Sequence, residues 1–362
     1  MSAGKGGGGT GCAGGEARAS AQTIALLRSG TRRRRRRRAA VVASLAVLVA
    51  VLASAMLMLG NTLYPPSDVL RAVMGEDVPG ASFAVGVLRL PRALAAILAG
   101  LAFGAAGSVF QTMLRNPLAS PDVIGISAGC SVAAVACIVV FHLSGALVSV
   151  VSVVFGLVVA ALIYLLAKDR EGAGGKLVLI GIGVGALMNA VVSYLLLKAS
   201  EYDVPAAYRW LTGSLNASRM DGLVPLAVAV AVFLPAVLVL VRGLEAIEMG
   251  DDMAKALGGR VERTRALLIL GAVGLVAFAT VTTGPIAFVA FLSGPIAVRL
   301  TGPGRPCILP AALLGAALVL GADLIGQFAF DTRFPVGVIT GILGAPYLLF
   351  LLIRLNRSGG SL

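Results

Sequence analysis

RRRRRRRAAVVASLAVLVAVLASAMLMLG, residues 32–60, decides the fold. Seven consecutive arginines abut 22 residues without a charge. About 20 apolar residues are enough to cross the hydrocarbon core of a bilayer as a helix. A block of arginine at one end of such a run belongs on the inner side of the membrane, where positive charge accumulates. The stretch therefore reads as a first membrane span with its amino end inside. Ala53-Ser54-Ala55 resembles a leader cleavage site, but the apolar run continues past it through Leu59, which favours a span.

The rest of the chain agrees. Of its 362 residues 58% are hydrophobic and 13% charged, and the mean hydropathy is +0.95. Soluble domains carry about 25% charged residues. The net charge of +13 would suit a nucleic-acid partner, but the basic residues concentrate beside a span, so that class is excluded. Cys12, Cys130, Cys137 and Cys307 lack the spacing of a metal site, and His142 is the only histidine, so neither metal nor cofactor is expected.

Outward from the first span, apolar runs predict nine more, at 91–113, 123–141, 143–167, 177–197, 222–242, 264–282, 284–300, 307–328 and 335–354. Gly284-Pro285 and Gly294-Pro295 interrupt the 264–300 pair. Ten spans place both termini on one side. With the arginine run inside, 23 of the 30 Lys and Arg fall inside and seven outside, the expected asymmetry. The expected organisation is a disordered basic tail at 1–38, a ten-helix domain at 39–355 and a short tail at 356–362, both tails cytoplasmic.

Inside the spans small residues recur at helical spacing: Gly100, Gly104 and Gly107, then Gly181 and Gly185, then Gly337 and Gly341. Such faces let helices approach closely in lipid. Gln111 and Asn189 are candidate interhelical hydrogen-bond partners. Asp323 is the carboxylate that interrupts an otherwise apolar span, and Gln327 one turn on can bond it. There is no phosphate-binding GxxxxGK[ST] loop, GxSxG, HExxH or paired-carboxylate motif, which excludes ATP hydrolysis by the usual loop and leaves a membrane enzyme without a catalytic set.

Three loops stand out. The long inner one contains Glu248, Met249, Gly250, Asp251, Asp252, Ala254, Leu257 and Gly258. Asp251 can cap a short helix whose apolar side holds Met253, Ala254 and Leu257, and Gly258-Gly259 can end it. That helix suits a groove on another protein or the surface of its own bundle. A second inner turn, Arg115-Asn116-Pro117, joins spans two and three. On the outer side Arg89 and Arg92 share a helix face against the charge trend, suited either to lipid headgroups or to carboxylates on an external partner.

Several stretches in order, RLPRALAAILAG (89–100), GSVFQTMLRNPLASPDVIGISAG (107–129), RWLTGSL (209–215), EMGDDMAKALGGRVERTR (248–265), TGPIAFVAF (283–291), GADLIGQ (321–327) and FPVGVITGILGAPYLL (334–349), resemble the FecCD-type permeases of importers for iron-siderophore, haem and vitamin B12. The ferric enterobactin branch is the most similar. The resemblance implies an all-α, ten-helix, type II ABC importer permease of the bacterial cytoplasmic membrane. It implies two separate ATPase subunits inside, a second, distinct permease subunit beside it, and an extracytoplasmic siderophore-binding protein outside. It places the ATPase-coupling loop at 248–260 and binding-protein contacts at Arg89 and Arg92. A further outer arginine of the family falls at Gln327 here, with Arg333 nearby. The family's Pro-His-Ile-Ala-Arg stretch reads Pro295-Ile296-Ala297-Val298-Arg299, without the histidine. The implied cargo is a ferric siderophore; haem or vitamin B12 is the alternative within the family and a secondary transporter the alternative outside it.

Overall fold

The computed structural model describes residues 10–357 apart from 122–124, 168–172, 217 and 303. The described residues are helices and connecting turns. In chain order the helices are α1 Thr10–Met58, α2 Pro66–Val73, a π-helical segment Ser82–Arg89, α3 Leu90–Met113, α4 Ile126–Val139, α5 Ala146–Ala167, α6 Ala173–Lys198, α7 Val204–Leu211 and α8 Met220–Val239. They continue with α9 Val241–Glu248, α10 Asp251–Ala256, α11 Val261–Thr283, α12 Val289–Thr301, α13 Ile308–Phe328 and α14 Val336–Arg357. Seven helices are long and apolar enough to cross a bilayer, and α4, α12 and the 336–351 part of α14 are shorter apolar helices. Together they occupy the ten positions expected from hydropathy.

Two expectations change. Residues 10–38, expected to lack structure, continue α1 as helix. Alanine and arginine are strong helix formers, and a helix already nucleated by a membrane span propagates at little cost. The span expected at 284–300 begins as helix only at Val289. Gly284 (φ 73°) and Phe288 (φ 63°) break the backbone. A break at membrane depth survives where protein supplies the missing hydrogen bonds. Here the 212–216 turn supplies one: Ser214 N–H donates to the Thr283 carbonyl at 2.7 Å, and the turn is itself held by Gly337 N–H, which donates to the Gly213 carbonyl at 3.2 Å. No Cβ fits at Gly213, Gly284 or Gly337, each of which abuts backbone.

Helix α3 is the axis of the bundle. It packs against α13, α11, α12 and α8, and 78% of its apolar window is buried against 17% for α6. The small residues make this possible. Gly100 and Gly104 lie on the backbone of α13 at Gly315, Ala311 and Ala312, and Gly107 lies on Ala290 of α12. Gln111 Nε2 donates to the Phe291 carbonyl at 3.0 Å, an α3–α12 bond in the buried centre. Gly185 approaches Gly125 ahead of α4, whereas Gly341 faces open space among the described residues. Asn189 is exposed on α6, and among the described residues its side chain makes no interhelical hydrogen bond.

Candidate functional site

The residues singled out above gather at the two ends of α3. At the inner end, α9 and α10 form a bent pair joined by Gly250, whose φ of 119° is open to glycine and strained for other residues. The expected cap is different. Gly250, not Asp251, occupies the position before α10, and no side chain caps it. The Asp251 carboxylate instead accepts two hydrogen bonds from one Arg265 nitrogen, at 2.8 and 2.9 Å. The stop is as read: Gly258 N–H bonds to Lys255 O and Gly259 N–H to Ala254 O, both at 2.9 Å, with Gly258 left-handed.

The apolar side divides. Ala254 is buried against the bundle, while Met249, Met253 and Leu257 are 61%, 54% and 66% exposed. On so short a helix neighbouring residues point about 100° apart, so a small residue anchors one flank and the large ones stand clear. Glu248 and Asp252 are exposed beside them.

The second inner turn proves to be part of the same site. Arg115 donates to the Ile247 carbonyl at the end of α9 (3.0 Å) and lies 3.9 Å from the Asp251 carboxylate. Arg115 holds φ 50°, a left-handed position where a side chain costs about 1–2 kcal/mol. Asn116 Oδ1 accepts from Leu118 N–H at 2.8 Å, and Pro117 sits exposed at the bend. The loop at 248–258 is thus tied to α3 through Arg115 and to α11 through Arg265.

At the outer end the expected docking arginines have acceptors within the chain. Arg89 donates to the carbonyls of Leu57, Met58 and Thr62 at 2.8–2.9 Å, satisfying the carboxyl end of α1, and stacks over Tyr64 at 5.0 Å. Arg92 forms a two-pronged pair with Asp323, 2.8 Å on each prong, and donates to Asn216 Oδ1 at 2.6 Å. Asp323 is fully buried and also accepts from Gln327 Nε2 at 2.5 Å. A carboxylate in an apolar span is tolerated when it is paired and fully bonded. Arg333 is exposed and donates to Asn61 Oδ1 at 2.8 Å. The three arginines therefore share one rim, around the end of α1.

Sequence reading missed the partners, not the residues. Asp323 lies 231 positions from Arg92 and Asp251 14 from Arg265, beyond any local spacing rule. The usable signal for the first was a lone intramembrane acid at the same depth as two arginines that defy the charge trend. Among the described residues no group of three His, Cys, Asp or Glu could hold a metal ion.

The FecCD transport family model matches residues 46–354. The ferric enterobactin transport system permease protein of Escherichia coli (strain K12) is 41% identical over 292 residues, 80% of this chain and 88% of its own. The Fe(3+)-citrate import system permease protein of Bacillus subtilis (strain 168) is 38% identical over 311 residues, covering 85% and 93%. A solved structure described as a metal-chelate type ABC transporter, in an inward-facing conformation, superimposes with a TM-score of 0.76 at 27% identity, covering 87% of this chain and 99% of its own. With two thirds and more of each relative matched and the family pattern running through all ten apolar helices, the chain belongs to the FecCD transport family.

Proposed function

We propose that the chain is a transmembrane permease subunit of an ATP-driven importer for ferric siderophores. The observation that carries this is the α9–α10 pair: three large apolar side chains, Met253 on α10 and Met249 and Leu257 flanking it, stand in solvent on a platform fastened to α3 and α11. Exposed apolar side chains on a fixed platform fit a groove on a partner protein. The relatives named for ferric enterobactin and ferric citrate import support the cargo class. Transport of haem or vitamin B12 is the neighbouring alternative; a relative from Halobacterium salinarum, 35% identical over 275 residues, is named for cobalamin import.

In this reading separate ATPase subunits hold Met249, Met253 and Leu257. Their closure moves α10, and Arg115 passes the displacement to α3. Helix α3 is buried and close-packed, so it transmits a shift rather than absorbing it. Its outer end carries Arg92, so the same motion reaches the Asp323 pair and the mouth where a binding protein delivers the chelate. Arg333 is the exposed arginine of that rim and makes the first contact; Arg89 and Arg92 hold the rim in shape.

A second permease subunit, a distinct relative of this one, covers α6. Gly183, Ala186, Asn189, Ala190 and Ser193 are all exposed on this helix. Small and polar groups in a span pack against other helices more favourably than against lipid. The chain lies in the bacterial cytoplasmic membrane with both termini cytoplasmic, a reading the charge count supports.

The decisive test is uptake of radiolabelled ferric siderophores in cells that retain this chain and lack the cognate ATPase. Uptake is expected to vanish. Uptake that survives, driven by an ion gradient, would place the chain among secondary transporters.

A further inference from the structure

The arginines of α1 do more than mark one side of the membrane. Arg34, Arg37 and Arg38 reach the connection between α12 and α13. Arg37 donates to the carbonyls of Leu300 (2.9 Å) and Arg299 (3.2 Å), Arg38 donates to the Arg305 carbonyl and approaches Cys307 Sγ at 3.5 Å, and the Arg34 guanidinium lies beside Gly304. Arg34 and Arg38 continue the seam that lower down buries Leu45, Val49 and Met56. Arg33 and Arg36 continue the opposite face, above Val47 and Val51, which are 62% and 58% exposed and so face lipid. One basic helix end thus presents one set of guanidinium groups to the protein and another to the bilayer.

Next to it is an open cleft of about 200 Å³ between α1, the α8–α9 junction and the start of α13. Its wall is apolar, with Val42, Leu238, Val241, Ile308 and Leu309, and Arg38 stands at its polar end. Arg305, largely exposed, sits 3.4 Å from Glu245 on the adjoining α9. A guanidinium has five N–H donors, and Arg38 spends only one nitrogen on its two protein acceptors. A phosphate fits those remaining donors, and an acyl chain fits the apolar wall below.

We propose that this cleft is a binding site for an anionic phospholipid of the inner leaflet, its headgroup held by Arg38, its acyl chain lying along Val42 and Leu309. The charge and the apolar wall are both needed: a soluble anion would use only the first, and a zwitterionic lipid would bring a cation beside the arginine along with its phosphate. Clusters of basic residues at a span's inner end recognise anionic headgroups, each contributing roughly a fivefold gain in partitioning. The proposal rests on the orientation argued above only in naming the leaflet.

The test uses the full chain purified in uncharged detergent, where sidedness plays no part, so failure here leaves the transport reading untouched. Native mass spectrometry would count retained dioleoyl phosphatidylglycerol, dioleoyl phosphatidylcholine and inorganic phosphate. Retention of phosphatidylglycerol over both others is expected. Arg38→Gln should weaken it roughly fivefold, and the pair Arg33→Gln/Arg36→Gln, on the lipid-facing side of α1, should change it little. Leu309→Trp, which fills the cleft without touching charge, should weaken it as well. If Arg38→Gln does not fold, Leu309→Trp keeps the test valid. Equal retention of the two lipids, or phosphatidylglycerol retention indifferent to Leu309→Trp, would overturn the proposal. So would phosphate bound as tightly as lipid, or arginine-dependent capture of an ATPase in place of lipid.

Discussion

The two ends of α3 carry similar chemistry in different surroundings. Outside, Arg92 grips Asp323, which is fully buried and bonded again by Gln327. Inside, Arg265 grips Asp251, which is 38% exposed, with Arg115 at 3.9 Å and half in solvent. Removing one member of a buried pair strands a charge away from water, at a cost of about 3–5 kcal/mol. Removing one member of an exposed pair costs about 1 kcal/mol or less, because water replaces it. The outer pair is therefore a rigid fastening and the inner pair an adjustable one. An element that must yield to a partner's motion is better held by the second kind.

This difference is open to attack from both ends. The largest effect is expected from Arg92→Ala, which should lower stability by about 3–5 kcal/mol, read as lost folded yield and a fall in Tm in detergent. The double variant Arg92→Leu/Asp323→Leu should recover most of it, since an apolar pair leaves no orphan charge. A mild Arg92→Ala would show that water reaches Asp323 and would erase the contrast.

Next comes Met253→Asp/Leu257→Asp. Both side chains are exposed, so the Tm should hold within about 0.5 kcal/mol. Loss of buried anchors at an interface costs about 2 kcal/mol or more, roughly thirtyfold in affinity. ATPase co-purification and siderophore uptake should both collapse. Intact co-purification would detach the inner site from its proposed role.

Arg265→Ala should cost about 1 kcal/mol, the upper end for a partly exposed pair, and Arg115→Ala less. Their uptake defects should run the other way if Arg115 is the link to α3: small stability loss, large transport loss. Measuring Tm and uptake on the same two variants separates a structural tie from a transmitting one.

The smallest structural effect is expected at Arg333. Arg333→Glu should leave the Tm unchanged within about 0.5 kcal/mol, yet weaken binding of the extracytoplasmic partner in a pull-down whose salt dependence also falls. If binding is unchanged, the contact surface lies elsewhere on the rim.

Much of this was legible in residues alone. The ten apolar runs lie within a few positions of ten observed helices, because in lipid a helix must be about as long as the bilayer is thick. Gly100, Gly104 and Gly107 were readable as a packing face because only small residues permit such approach. What stayed hidden was which charges meet. Arg89 and Arg92 read as candidates for lipid headgroups or an external partner because they run against the charge trend, yet Leu57, Met58 and Asp323 bond them. Asp251 read as a cap from its place ahead of a helix, and Arg265 claimed it.

By itself the amino-acid sequence determined that this chain crosses a membrane about ten times and which family it joins. Those follow from solvent transfer, charge and local pattern, all of which act along the chain. Only the tertiary structure decided that the 115–117 turn and the 248–258 loop are one site, that Ala254 turns in while Met253 and Leu257 turn out, and that Arg92 is spoken for. Each of these depends on helices far apart in sequence being brought within about 3–4 Å of one another, where hydrogen bonds and ion pairs act.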